Sequence, residues 1–309
     1  YPHLKNPDAI TNFLVSKIND KDPVIREYSI LSINGAFEYV DNTEQLVDNL
    51  KPLLDDPNDR VVETVLHVLE SEARQIKDID SLLLSLIHKV ENGTIKLGSV
   101  VQILSKAIPH LNDANIVINK MYSWMENPDP NYKLAAVQVL KSNAEYAKDK
   151  QKFVDNIFKL FVSPMTTIWT TGLSALSGVF GKIEKSDELA DKLVGLFDHG
   201  NYHVSLNVIR LLSEAPGKVK NLNQLIDKVS PFCSHEEPEI REEAAKFIIS
   251  TIPYTYNDSS FNETLLLLLT YNPSMLIEGF KEVFLHVNNK EEWLEYLISL
   301  ASSSNHALK

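Results

Sequence analysis

Apolar positions along this chain recur in blocks of about 36 residues, and each block holds two apolar runs separated by a short polar break. The first apolar residue of each second run serves as a marker, and successive markers lie 36, 34, 37, 36, 36, 36 and 36 residues apart. The eight markers are Ile25, Val61, Ile95, Tyr132, Ile168, Val204, Ile240 and Leu276. A period this regular predicts a stack of like supersecondary units that bury one another's faces.

The second block shows what one unit contains. Leu46 and Leu50 stand at helical spacing, a polar break around Pro57 follows, and Val61 and Val65 resume the helical pattern. Proline fixes its own φ and cannot continue a preceding helix, so the break is predicted to be a tight turn between two helices. In later blocks the apolar residues fall four, seven and eight positions after the marker, which is one face of an α-helix.

This unit resembles the HEAT repeat, in which Asp-Pro and a short turn precede Val-Arg, with a small residue four positions after the Val. The matching residues are Ile25-Arg26 with Ser29, Tyr132-Lys133 with Ala136 after Asn127-Pro128, and Ile240-Arg241 with Ala244. The resemblance implies an all-α fold, a right-handed α-α superhelix of about eight helical hairpins. The arginine of the family is replaced by Val62, Trp169, Ser205 and Ile277, so an unbroken Asp/Arg ladder is not expected. Armadillo repeats are the close alternative, although only Asn207 resembles their groove asparagines.

The repeat keeps its phase through the middle of the chain, which predicts one solenoid domain over residues 1–309. Because the sequence opens on Tyr1 rather than Met, we expect it to be a fragment or a processed part of a longer protein. Its longest apolar stretch, residues 265–269, is far shorter than the roughly 20 residues that a membrane-spanning helix needs, so no membrane insertion is predicted. A single cysteine, Cys233, excludes an internal disulfide framework and favours the cytoplasm, with the nucleus as the alternative.

In HEAT-like stacks the second helix of each hairpin lines the concave side. The resemblance therefore implies that positions about two, three and six after each marker face a groove. The residues predicted to bind a partner there, together with Trp169, are Tyr28, Glu63, Thr64, His67, Leu97, Leu134, Gln138, Thr170, Thr171, Ser174, Arg210, Glu242, Glu243 and Lys246. The groove is expected to be acidic toward both ends, with an uncharged middle that suits a helix or an extended peptide.

Trp169 has two interpretations, since it occupies the arginine position of the family. Exposed, it would be an anchor of the kind that dominates interface energies. Buried, it would fill the space beside Gly172, and burial is favoured because large aromatic residues are buried on average.

Local signatures of catalysis are missing from the sequence. It contains no glycine-rich phosphate loop, nucleophile elbow or zincin motif, so no catalytic residue, cofactor or metal ion is predicted. His199 and His203 flank a Gly-Asn turn without a third ligand, which disfavours a metal site. Cys233 follows an apolar helical pattern and is interpreted as a core residue. An enzyme with a dispersed site is the least favoured function.

The formal net charge of −12 repels phosphate backbones, so direct binding to nucleic acid is not expected. The favoured function is a non-catalytic scaffold or adaptor that binds a protein or peptide through the groove and the turns. Basic segments in that partner would suit the acidic groove ends, and the resemblance places such a scaffold in transport, vesicle coats or complex assembly. The alternative is a nucleic-acid-associated HEAT protein, which would need a Lys/Arg stripe that the predicted groove lacks.

Overall fold

The computed structural model describes residues 7–40, 42–183 and 186–255, together with isolated positions between 264 and 298. Within these residues it contains 14 α-helices and no β-strand, which confirms the all-α prediction. The helices are α1 (Pro7–Lys17), α2 (Pro23–Asn34), α3 (Thr43–Leu50), α4 (Asp59–Ser71), α5 (Ile79–Glu91), α6 (Leu97–Ala107), α7 (Ala114–Met125), α8 (Pro130–Asn143), α9 (Lys150–Phe158), α10 (Thr166–Leu176), α11 (Ser186–Val194), α12 (Tyr202–Ser213), α13 (Leu222–Val229) and α14 (Pro238–Thr251).

The polar breaks of the sequence fold into caps for the even-numbered helices. The residue before each of four of these helices accepts a hydrogen bond from a backbone N–H of the first turn, which satisfies a donor that has no partner inside the helix. These cap residues are Asp22, Asn58, Asp129 and Asn201. Proline opens α2, α8 and α14, where its missing N–H costs nothing. The breaks therefore fix where each second helix begins.

The chain divides into two compact units, residues 1–156 and 157–309, with the division inside α9. In the first unit α2, α4, α6 and α8 pack side by side, and in the second unit α10, α12 and α14 do the same. The odd-numbered helices α1, α5, α7, α11 and α13 each pack against the even-numbered helix that follows, and the 3-10 turn after α3 packs against α4. The apolar core lies between these two layers, and the even-numbered layer is the more closely spaced one. The prediction of one domain stays a prediction.

Four markers lie in the core as the repeat pattern predicts. Val61, Ile168, Val204 and Ile240 are each 0% exposed. Ile25 is 41% exposed, because no even-numbered helix precedes α2 in the described part of the chain. Leu276 lies outside the described residues.

The third marker was misplaced. Ile95 is buried but precedes α6. The core residues Val100, Ile103 and Leu104 stand four, seven and eight positions after Lys96, so Lys96 holds the marker position of this hairpin. The true intervals around it are therefore 35 and 36 residues. The cause is the loop between α5 and α6, where Gly93 adopts a left-handed φ of 73° and lets the chain run to Lys96 before the next helix starts.

Candidate functional site

The exposed side chains of the even-numbered helices form one surface in each unit, here named the even-helix face. In the first unit it includes Tyr28, Glu63, His67 and Gln138, which are exposed, and Leu97 and Leu134, which are half-buried. In the second unit it includes Arg210, Glu242 and Lys246, which are exposed, and Thr170, Thr171, Ser174 and Glu243, which are half-buried. This is the surface that the resemblance implies to be the inner one.

Two of the predicted residues lie beneath this surface. Thr64 is 9% exposed, and its hydroxyl donates to the carbonyl of Arg60 one helical turn earlier at 2.7 Å. Trp169 is also 9% exposed, so the interpretation of this tryptophan as an exposed anchor is corrected in favour of burial. Thr64 lies on α4, which packs closely against α2 and α6, whereas the Trp169 ring is covered by Phe161 and His199 from the 3-10 turns after α9 and α11.

A groove runs between α4 and α6 on the even-helix face of the first unit. It consists of two adjoining surface cavities of about 410 and 530 Å³. Glu63, Lys96 and Ser99 line both of them. The α4–α6 groove exists because Gly98 and Ser99 are small, and nothing lies within 4 Å of the position where a Cβ of Gly98 would be. The groove gathers Glu63, His67 and Leu97, three residues that the sequence placed in the partner-binding set.

Ion pairs between neighbouring hairpins neutralise much of the acidity expected of this face. Glu27 pairs with Arg60 at 3.2 Å. Lys96 pairs with Asp59, and this carboxylate raises the pKa of Lys96. In the second unit Glu243 of α14 lies 3.7 Å from Arg210 of α12. Glu63 and Glu242 form no ion pair within the part of the chain that the structure describes, although the charge of Glu63 interacts with Lys96 across the groove.

Arg26 links the first two hairpins in the manner of the HEAT family. Its Nη1 donates to the carbonyl of Asp20, six residues earlier, at 2.9 Å. Its Nε and Nη2 each donate to the carboxylate of Asp56, thirty residues later, at 2.7 Å. This bidentate pair is almost buried, so it joins the hairpins more firmly than a surface pair would.

Trp169 makes the same two connections with different chemistry. Its Nε1 donates to the carbonyl of Ser163, six residues earlier, at 2.7 Å. Its ring lies 4.0 Å from the ring of His199, thirty residues later. The tryptophan therefore replaces the arginine of the family and exchanges an ionic contact between hairpins for an aromatic one.

The remaining reactive groups have structural roles where the structure describes them. Burial raises the pKa of Cys233 to about 12, so the thiolate that a nucleophile requires is not formed near neutral pH. The ring of His203 stacks on Tyr202 at 3.8 Å, while His199 contacts Trp169. Among the described residues no three His, Cys, Asp or Glu side chains converge as a metal site. None of the helices within the described ranges combines the length and the apolarity needed to cross a membrane.

Sequence reasoning missed Ser99, Gln102 and Lys106, which border the groove or lie beside it on α6. Ser99 and Gln102 line the groove, and Lys106 pairs with Glu70 of α4. The misplaced third marker caused the omission. The helical spacing of Val100, Leu104 and Ala107 is the signal that would have corrected it.

Comparison with known proteins supports the fold. No protein-family model and no curated protein matches the chain. An engineered protein matches over 97% of this chain and 86% of its own, with a TM-score of 0.54 and 14% identity. Kap121p matches over the whole of this chain with a TM-score of 0.57 and 14% identity, and the match spans 37% of Kap121p. The structure of Kap121p bound to Nup53p matches over 97% of this chain and 40% of its own, with a TM-score of 0.50 and 13% identity.

These matches, taken with the stacked hairpins, show that the chain has the HEAT-like helical-repeat fold of a solenoid protein. Because their sequence identity to this chain is only 13% or 14%, these matches support the fold alone.

Proposed function

We propose that this protein is a non-catalytic scaffold that binds a protein or peptide through the even-helix face. The observation that carries the proposal is the α4–α6 groove, where an open channel collects three of the predicted binding residues beside a carboxylate that lacks an ion pair. A surface of this kind offers many weak contacts and requires no reactive group. The cellular role that we propose is transport or complex assembly in the cytoplasm or nucleus.

The chemistry of the groove favours a partner segment with at least one basic side chain. Glu63 lines both cavities and is exposed, and a lysine or arginine placed beside it would balance its charge. Leu97 and Tyr132 supply apolar contact at the same end. The fold itself suits this role, since the similar Kap121p has been solved with Nup53p and with the SUMO protease Ulp1p.

A comparison of three baits tests the proposal. The baits are the unaltered chain, a Glu63→Lys variant and an Asp48→Lys variant, all used for affinity capture followed by mass spectrometry. Asp48 is exposed on the odd-numbered helix α3, so its reversal changes the net charge equally without touching the groove. We expect Glu63→Lys to lose the partners that the other two baits retain.

Capture of the same proteins in the same amounts by all three baits would count against the groove. In the second unit, the double variant Thr170→Glu, Thr171→Glu tests whether α10 also contributes to partner binding. Circular dichroism should show unchanged helix content in every bait, because all of these substitutions lie outside the core.

A further inference from the structure

The first hairpin exposes apolar side chains that its position in the repeat would normally cover. Six of the fifteen exposed large apolar side chains among the described residues lie on it, namely Ile10, Phe13, Val24, Ile25, Tyr28 and Leu31. These six residues are named the α1–α2 apolar face. On α2 they follow helical spacing and so share one side of the helix. Soluble proteins seldom expose a patch of this kind unless something binds to it.

Comparison of the hairpins identifies which surface this is. At the marker position Ile25 is 41% exposed, whereas Val61, Val204 and Ile240 are fully buried. Three residues later Tyr28 is 65% exposed, whereas Thr64 at the same position is buried. Each later even-numbered helix of a unit packs against the even-numbered helix before it, as α4 packs against α2, whereas α2 has no such neighbour before it among the described residues. The α1–α2 apolar face is therefore the surface that receives a preceding repeat.

Asp20 provides a second and independent observation. It holds the position in the first hairpin that Asp56 holds in the second, five residues before the marker. Each of the two carboxylates accepts the backbone N–H two residues later, at 3.1 Å for Asp20 and 2.8 Å for Asp56. Asp56 also receives Arg26 of the preceding hairpin. Within the described residues no arginine forms an ion pair with the Asp20 carboxylate, which pairs with Lys17 at 3.7 Å, while Arg26 binds only the backbone carbonyl of Asp20.

We propose that the α1–α2 apolar face binds one further helical hairpin of the same repeat type, which belongs to the same polypeptide and stacks ahead of α1. That hairpin presents an apolar side of its second helix to Ile25 and Tyr28 and carries an arginine that pairs with Asp20. The arginine contact described above joins residues thirty positions apart, so the donor belongs to the repeat that directly precedes Asp20. A hairpin bound to this face would stack on α2 as α4 does. The face is separate from the α4–α6 groove.

An extended chain tests this directly. Residues 7–42 are duplicated once ahead of residue 7, so that the added copy supplies a second helix with its own Arg26 to the original Asp20. Hydrogen exchange is then measured for the amides of the original α2. We expect their exchange to slow by at least about tenfold relative to the unextended chain, as a large apolar side chain that becomes covered would cause.

Three substitutions define the contact. Arg26→Ala in the added copy, or Asp20→Asn or Ile25→Ser in the original hairpin, should each remove much of this protection. In the unextended chain Asp20→Asn and Ile25→Ser should change little. Val162→Ser is the matched control, because Val162 is an equally apolar residue that is 87% exposed outside this face.

Two results would overturn the proposal. One is an added copy that exchanges freely and leaves the original α2 unprotected, since a hairpin that fits this face should fold against it. The other is a dimer of the unextended chain, seen by light scattering, that Tyr28→Glu dissociates. That dimer would assign the face to a second copy of the protein.

Discussion

At the scale of single residues, Trp169 shows how one position of the repeat keeps its function while its chemistry changes. Arginine at this position in the first hairpin binds the turn behind it and the acidic residue of the next hairpin. Tryptophan donates to the equivalent backbone carbonyl of its own hairpin, and ring contact with His199 takes the place of the ion pair. The sequence showed only that the arginine was absent, and the spatial equivalence needed coordinates.

A double-mutant cycle tests this equivalence. We expect Trp169→Ala to destabilise the protein by about 3–5 kcal/mol, as large core truncations do. Trp169→Arg alone should also destabilise it, because arginine cannot replace the packing against His199. Combination with His199→Asp should recover at least about 1 kcal/mol, since the pair then matches Arg26 and Asp56. Urea denaturation measures the unaltered protein, Trp169→Ala, the single variants Trp169→Arg and His199→Asp, and their combination. Strictly additive effects of the last two substitutions would contradict the equivalence.

Glu72 gives a prediction about pH. Burial, followed by the nearby charge of Glu38, raises the pKa of the Glu72 carboxyl above its usual value. The folded protein therefore binds this proton at a higher pH than the unfolded chain, and the cost in stability builds up as the pH rises from the unfolded-state pKa through the folded-state pKa.

Glu72→Gln removes this cost and should stabilise the protein at pH 7 by no more than about 0.5 kcal/mol, because solvent screens the partly exposed carboxylate. The gain should fade as the pH falls toward about 4.3, where the carboxyl is protonated even in the unfolded chain. Thermal unfolding at several pH values measures the effect. The exposed Glu145→Gln is the control, and a gain in stability that is equally large at low pH would exclude this explanation.

At the scale of helices, the loop between α5 and α6 shapes the candidate site. Gly93 has a left-handed φ of 73° with open space around its Cα, so any penalty for a side chain there comes from the backbone alone. We expect Gly93→Ala to destabilise the protein by about 1–2 kcal/mol, the cost of a left-handed conformation for an ordinary residue.

Gly98→Ala is the matched control for that substitution. Gly98 also has open space around it but lies in the first turn of α6, so alanine there should be neutral or stabilising by up to about 1 kcal/mol. Chemical denaturation compares the two variants. Equal effects from both substitutions would show that the loop conformation is not under strain.

Most of the helical architecture could be predicted from the sequence, because caps and apolar spacing act locally. Asn58 and Asp129 cap the helices that follow them and so mark where these helices begin. The buried markers confirm the predicted core faces of α4, α10, α12 and α14. The exception was α6, whose start depends on a glycine conformation that spacing does not reveal.

The candidate site was less predictable, since exposure depends on the neighbouring hairpin. Thr64 and Trp169 occupy positions that a helical wheel leaves near the surface. Thr64 is buried on the closely packed α4, and Trp169 is covered by Phe161 and His199 from neighbouring turns. The α4–α6 groove likewise arises from missing volume at Gly98 and Ser99. Whether the space beside these two residues opens to solvent depends on how α4 and α6 pack against each other.

At the scale of the whole molecule, the net charge of −12 opposes any role that requires contact with phosphates. We expect no measurable binding to duplex or single-stranded DNA at moderate salt, and fluorescence anisotropy with labelled oligonucleotides would check this. Affinity that persists as salt is raised would point to a nucleic-acid role and away from the proposed scaffold.

The bonds between neighbouring hairpins described above also bear on how the chain reaches its native state. Arg26 with Asp56, Lys96 with Asp59 and Trp169 with His199 all join residues that lie within about one repeat of each other. Low contact order of this kind favours rapid folding that can start wherever two adjacent repeats meet. A nascent chain could thus become ordered progressively while the ribosome is still completing its later parts.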